Sequence, residues 1–348
     1  MNVTIRNVAK KVGVSPSTVS RVLSGTATNI SISKDTREKI LATCEELKFY
    51  PNIHARRFFK KKSETIGLII PPQAKIIAVA HTFTDYNIAA MLSGIEETVT
   101  QKGYRLTIMV ADEDFINNKK YLKLIRDKSL DGVLLWGVDI DDKYVLDIKQ
   151  EDFPYILLNS YITKYPVNYV ITDNLNGSAM LTEYLIKTGY RKIAYIKGSK
   201  KSCITIDRYN GYIETIKKYK ITINNDFIKE GDFSEQSGYV AMIELLNYKE
   251  YPEAVIAGND MMAIGAMKAI KTKKLKIPDD IAVAGGDGIE LASYVEPALT
   301  TFKLPTYELG VKSVHMLFDI MQTNQNKLVQ EILPVELLIR ESTKKSIS

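Results

Sequence analysis

From Glu64 almost to its end, the chain alternates short apolar runs with longer amphipathic ones, and this rhythm limits the fold more than any other feature. Residues 66–70, 106–110, 133–136, 155–158, 169–172, 193–196, 254–257 and 281–284 read as strands. Between them, residues 88–101, 117–127, 175–187, 209–219, 234–246, 261–271 and 307–321 read as helices. Strand–helix–strand alternation predicts parallel sheets with helices on both faces, because parallel neighbours need a long crossover. The count suits two doubly wound units, in which a ligand sits beyond the carboxyl ends of the strands. At 348 residues and 45% apolar content, the chain has room for two or three domains with substantial cores.

The first 62 residues follow another pattern. They hold 13 lysines and arginines against 4 acidic residues, a charge of +9, whereas the remainder holds 34 against 37, a charge of −3. A basic head on a mildly acidic body suits a phosphate backbone as partner. Ile5, Val8, Ala9 and Val12 recur at helical spacing behind Thr4, whose hydroxyl can cap the first turn. Gly13 supplies the turn, and Ser15-Pro16 restarts a helix, serine as N-cap and proline where no amide is needed. Val19, Val22 and Leu23 face the first helix, leaving Pro16, Ser17, Ser20 and Arg21 outward. This is a helix-turn-helix: small side chains let the second helix approach the major groove, and arginine can bond guanine through two hydrogen bonds. A third helix from Ser33 places Ile40, Leu41, Cys44 and Leu47 on one face and ends before Pro51. By composition, residues 53–62 read as a basic linker.

The pattern Thr4-Ile5, Val8-Ala9, Gly13-Val14-Ser15 and Thr18-Val19-Ser20-Arg21-Val22-Leu23 resembles the opening of the lactose/galactose repressor (LacI/GalR) family. The likeness continues through Ser93-Gly94-Ile95-Glu96-Glu97, Gly189-Tyr190-Arg191, Gly211-Tyr212, Asn259-Asp260 and Arg340-Glu341-Ser342-Thr343, so it covers essentially the whole chain. It implies an α/β protein: a three-helix helix-turn-helix head over residues 1–50, a hinge over 51–63, and two doubly wound periplasmic-binding-protein-like subdomains over 64–343. The chain would cross between the subdomains three times, with an N-subdomain of about 64–159 and 303–325 and a C-subdomain of about 160–302 and 326–343. The resemblance implies double-stranded operator DNA as one partner, read by Thr4, Ser15, Pro16, Ser17, Thr18, Ser20 and Arg21. Asn52, Ala55, Arg56 and Phe58 would then belong to a hinge helix in the minor groove, with Phe58 as a wedge where relatives have leucine. The second partner would be a small effector, a sugar first and a purine or other metabolite second, held by Asn159, Arg208, Phe233, Asn259 and Asp287. Asn159 stands where many relatives have aspartate, and Gly285-Gly286-Asp287-Gly288 replaces an aromatic neighbourhood, which predicts a wider cleft. Little sequence follows Thr343, which on this resemblance points to a homodimer.

Other classes fit less well. Only His54, His81 and His315 are available, with no companions for nucleophilic catalysis or metal binding, so neither an enzyme, a metal nor a cofactor is expected. Asp139, Asp141 and Asp142 lack EF-hand spacing and read as a solvated loop. Cys44 and Cys203 suit a reducing compartment, and Arg6, Lys10 and Lys11 interrupt any signal peptide, so a cytoplasmic protein without membrane spans is expected. A solute-binding receptor would share the body but not the basic head.

Overall fold

The computed structural model describes residues 3–24, 32–49, 62–72, 86–323 and 328–344. The chain divides into two compact units, Met1–Glu64 and Thr65–Ser348. In the first, α1 (Ile5–Val12), α2 (Pro16–Ser24) and α3 (Lys34–Glu46) close on Val8, Ala9, Val19, Val22, Ile40 and Cys44. Gly13 ends α1 at φ 74°, its amide donating to the Ala9 carbonyl. Asn7 Oδ1 accepts from both the amide (2.9 Å) and the hydroxyl (2.5 Å) of Thr4, so the Asn7 side chain reaches back to the start of α1 and the Thr4 hydroxyl donates rather than caps. Ser33 Oγ accepts from the Thr36 amide at 3.2 Å and starts α3. Leu41 is 48% exposed, contrary to expectation. One residue along a helix is a turn of about 100°, and the face is built by Thr36, Ile40, Thr43, Cys44 and Leu47 instead.

The second unit holds two parallel sheets. The larger contains β1 (Thr65–Ile70), β2 (Arg105–Val110), β3 (Gly132–Trp136), β4 (Tyr155–Leu158), β5 (Tyr169–Thr172) and β11 (Gln330–Leu333), in the order β2-β1-β3-β4-β5-β11. The smaller contains β6 (Ile193–Ile196), β7 (Ile228–Lys229), β8 (Ala254–Ala257) and β9 (Ala282–Ala284), in the order β7-β6-β8-β9. Both wind outward from their first strand, so each has its switch point beside that strand, β1/β3 and β6/β8. β10 (Thr301–Lys303) and β12 (Glu336–Leu338) pair antiparallel. Strands β1, β4, β6 and β8 are buried along their whole length, as two-faced parallel strands must be.

These pairings move two expected boundaries. Strand β5 belongs to the larger sheet, so the first crossing follows Thr172 rather than residue 159; β11 joins it too, so the last crossing follows Leu333 rather than residue 325. The expected helix over 117–127 is two helices, α5 (Glu113–Asn117) and α6 (Lys120–Arg126), because Lys119 turns left-handed at φ 48°. The bend lets Phe115, Tyr121, Leu122 and Ile125 enter one core. The short α7 (Tyr144–Gln150), burying Tyr144, Val145 and Ile148, was not anticipated.

Helices pack in pairs on these sheets: α4 (Tyr86–Gln101) with α12 (Thr306–Thr323), α8 (Asn174–Lys187) with α9 (Cys203–Lys218), and α10 (Glu235–Leu246) with α11 (Asp260–Thr272). Each crossing uses glycine where backbones touch. A Cβ on Gly94 would overlap the Tyr307 carbonyl, one on Gly211 the Leu175 carbonyl, and one on Gly265 the Glu235 carbonyl. Gly265→Ala therefore has to push α10 and α11 apart; we expect a loss of about 2–3 kcal/mol in urea unfolding, and an unchanged midpoint would show that the pair can separate freely.

Candidate DNA-binding face and effector cleft

The head places its polar residues as the periodicity demands. Pro16, Ser17 and Arg21 are exposed on α2, Ser20 and Thr18 are half-buried, and Val19 beneath them is fully buried. Ser15 Oγ accepts from the Thr18 amide at 3.1 Å and lies 2.7 Å from Ser17 Oγ and 2.9 Å from Thr18 Oγ1. Ser15 and Thr18 thus fix the start of α2, while Ser17 and Arg21 project beside it. Thr4 is exposed at the start of α1. The hinge residues Asn52, Ala55, Arg56 and Phe58 lie outside the described residues.

In the second unit, four of the five expected effector residues follow strand ends, and the fifth comes from a helix. Asn159 follows β4, Phe233 lies on the segment between β7 and α10, Asn259 follows β8 and Asp287 follows β9; Arg208 enters from α9. Arg208 is only 2% exposed. Its Nε donates to Asn174 Oδ1 (2.8 Å), one terminal nitrogen to the Gly258 carbonyl (2.5 Å) and the other to Asp287 Oδ1 (2.7 Å). The guanidinium also lies 4.9 Å from the centre of the Phe302 ring. Two of the five guanidinium hydrogens are not used by described residues. Asp287 accepts as well from the side chain of Asn87, on α4 of the other subdomain.

Asn159 holds the left-handed φ 45° that asparagine tolerates. Its Oδ1 accepts from the Thr172 amide (3.2 Å), the Thr172 hydroxyl (2.9 Å) and Asn174 Nδ2 (3.4 Å). The chain Asn159–Thr172–Asn174–Arg208–Asp287–Asn87 is therefore continuous across the cleft. Asn259 and Phe233 form the neighbouring wall. Asn259 Oδ1 caps α11 through the Met262 amide (2.9 Å), and its Nδ2 donates to the Phe233 carbonyl (3.0 Å), so it shapes the Phe233 loop.

The glycines at 285 and 286 do not widen the cleft, contrary to expectation. A Cβ on Gly285 would strike the Asp260 carboxylate, and one on Gly286 would come 2.6 Å from the Phe302 ring. The protein's own side chains fill that room. Asp260 is fully buried, accepting from Thr301 Oγ1 (2.6 Å) and the Ile289 amide (2.9 Å). Burial first, then the charge of Asp287, raises its pKa to about 7. Burial also raises Asp287, opposed by Arg208.

Further contacts join the subdomains. Tyr161, between β4 and β5, donates its hydroxyl to Asp207 Oδ1 on α9 at 2.6 Å, and the Ile140 amide donates to the Lys201 carbonyl at 3.0 Å. Asp139, Asp141 and Asp142 are drawn into the same region: Asp142 accepts from the Asp139 amide, and Asp141 lies 3.8 Å from Lys201. Sequence reasoning missed Asn87, Asn174, Asp207, Asp260 and Phe302; Asp207 and Asp260 each adjoin an expected residue and Asn174 follows β5, whereas Asn87 on α4 carries no such signal.

A three-helix head with a reading helix, joined in one chain to a two-sheet body with a polar cleft, defines a ligand-responsive DNA-binding regulator. Residues 4–52 match the bacterial regulatory proteins of the lacI family, and residues 182–343 match a periplasmic binding protein-like domain. The HTH-type transcriptional repressor PurR of Histophilus somni (strain 2336) is 32% identical over 343 residues, 98% of this chain and 99% of that one. The structure of the lac repressor dimer bound to operator and the anti-inducer ONPF superposes with a TM-score of 0.83 at 28% identity, over 99% of both chains. The transcriptional regulator CelR–cellobiose complex gives 0.74 at 27%, over 98% of this chain and 100% of that one. The chain belongs to the lacI family of bacterial regulatory proteins. It is a DNA-binding transcription regulator. No helix among the described residues is long and apolar enough to cross a membrane.

Two outcomes follow from the buried charges. Arg208→Leu strands Asp287 without its cation and should cost about 3–5 kcal/mol, read by denaturant unfolding; a neutral change would mean that Asp287 is solvated. Asp260 binds its proton more tightly folded than unfolded, so its stabilising effect is full below pH 4 and is lost as pH rises towards 7. Asp260→Asn should flatten that decline in a series of thermal melts; a persisting slope would assign it to another group.

Proposed function

We propose that this protein is a cytoplasmic repressor of carbohydrate-utilisation genes that binds a near-palindromic operator as a homodimer and is switched by a small sugar in the cleft. The observation that carries this reading is the bridge at Asp287, which holds Arg208 of its own subdomain and Asn87 of the other. A ligand competing for these groups alters how the subdomains are held together. Planar donors and acceptors beside the Phe302 and Phe233 rings suit a polyol, which presents paired hydroxyls and an apolar ring face. The CelR–cellobiose complex supports a carbohydrate, and the operator-bound lac repressor dimer supports the DNA partner.

In this reading Arg21, with Pro16, Ser17 and Ser20, contacts base edges in the major groove, while Thr4, Ser15 and Thr18 stand at the phosphate flank. Asn52, Ala55, Arg56 and Phe58 serve the minor groove as the hinge. Control is linkage: a sugar that favours one arrangement of the subdomains changes operator affinity, and the operator changes sugar affinity by the same factor. The protein carries out no reaction.

Fluorescence anisotropy on a palindromic site from the gene's own upstream region tests this, with salt and neutral sugars varied. Salt-sensitive binding that one sugar shifts is expected; binding shifted only by a purine would overturn the sugar assignment, and no specific binding would favour a solute receptor. In the same assay Arg21→Ala should lose about tenfold of the preference for the operator over a mismatched site, whereas equal losses on every sequence would remove Arg21 from base reading.

A further inference from the structure

Thr205 lies in the first turn of α9, one helical turn before Arg208 and on the same face. It is 7% exposed, and its hydroxyl is buried with no hydrogen-bond partner among the described residues. Native proteins seldom leave such a group unmet, because the lost hydration has nothing to replace it. The hydroxyl faces Gly198, which follows β6 at the switch point of the smaller sheet: a Cβ built on Gly198 would come 2.7 Å from Thr205 Oγ1. The same Cβ would overlap the ring of Phe233. The Phe233 ring thus lies against Gly198, next to the Thr205 hydroxyl.

Phe233 holds that position at φ 74°, a left-handed conformation that bulky side chains rarely adopt. Its carbonyl is tied to Asn259 Nδ2, and the Ser234 amide after it donates to Asp232 Oδ1 at 2.9 Å. The backbone is pinned while the ring covers a hydroxyl that gains nothing from being covered. An unmet polar group, a side chain seated on a glycine and a strained backbone coincide at one strand end beside Arg208.

We propose that Thr205 is a specificity-determining residue of the effector cleft: its hydroxyl takes a hydroxyl of a sugar ligand when the Phe233 ring moves aside. This rests on reading the cleft as a sugar site. A threonine hydroxyl donates once and accepts twice, which matches a sugar hydroxyl and gives nothing to an apolar ligand edge. The ring of Phe233 shields the subsite in the ligand-free protein and packs on the sugar in the bound one.

The test compares the full-length protein with its Thr205→Val and Thr205→Ser variants by thermal unfolding and calorimetric titration. Glucose, galactose, ribose and cellobiose serve as probes. Valine keeps the volume and removes the unmet hydroxyl, so the sugar-free melting temperature should rise while affinity for the protecting sugar falls about tenfold. Serine should keep affinity near that of the original. A merely structural role would not move stability and affinity in opposite directions. A lower melting temperature for Thr205→Val would mean that the hydroxyl is already satisfied, and unchanged sugar affinity would remove Thr205 from the cleft; either result overturns the subsite alone. If none of the four sugars binds the original protein, the sugar reading fails and takes the subsite with it.

Discussion

The ion pair between Arg208 and Asp287 is the interaction on which the cleft depends. Both side chains are almost fully withdrawn from water, where a charge without its partner is expensive. The guanidinium is satisfied only if three separate strand ends arrive together: Asn174 after β5, the Gly258 carbonyl after β8 and Asp287 after β9. Gly286 has no side chain because Phe302 and the guanidinium already occupy that space. The pair is thus less a source of net stability than a requirement that fixes how the two sheets meet.

From this centre the polar network runs outward in both directions. Through Asn174 and Thr172 it reaches Asn159, which belongs to the larger sheet, and through Asp287 it reaches Asn87 on α4. Tyr161–Asp207 and Ile140–Lys201 are further fastenings between the same two bodies. A ligand displacing these groups would have to replace contacts between the two subdomains as well as fill a hole.

Much of the fold was legible because parallel strands buried on both faces are apolar throughout and announce themselves. Strands β4, β5, β6 and β8 fall at the positions read from the sequence. Strands β7, β10, β11 and β12 did not, since they are two to four residues long, too short to show a period. Leu41 shows the reverse error, an apolar residue counted as core although its direction on α3 faces solvent. Arg208 and Asp287, which the structure pairs, had been singled out as effector residues through a family pattern. Asp260 and Thr301, 41 residues apart, were not, because a buried hydrogen bond between distant residues leaves no periodic trace. Asn259 was expected to hold the effector; in the structure it caps α11 and holds the Phe233 carbonyl.

The glycine-lined helix crossings carry a mechanical consequence. Where backbone rests on backbone, no side chain can change rotamer to absorb displacement, and close-packed interiors yield little. Each such helix pair is held as a stiff unit. A displacement at the strand ends therefore moves α4 with α12, α8 with α9 and α10 with α11, each pair as one body.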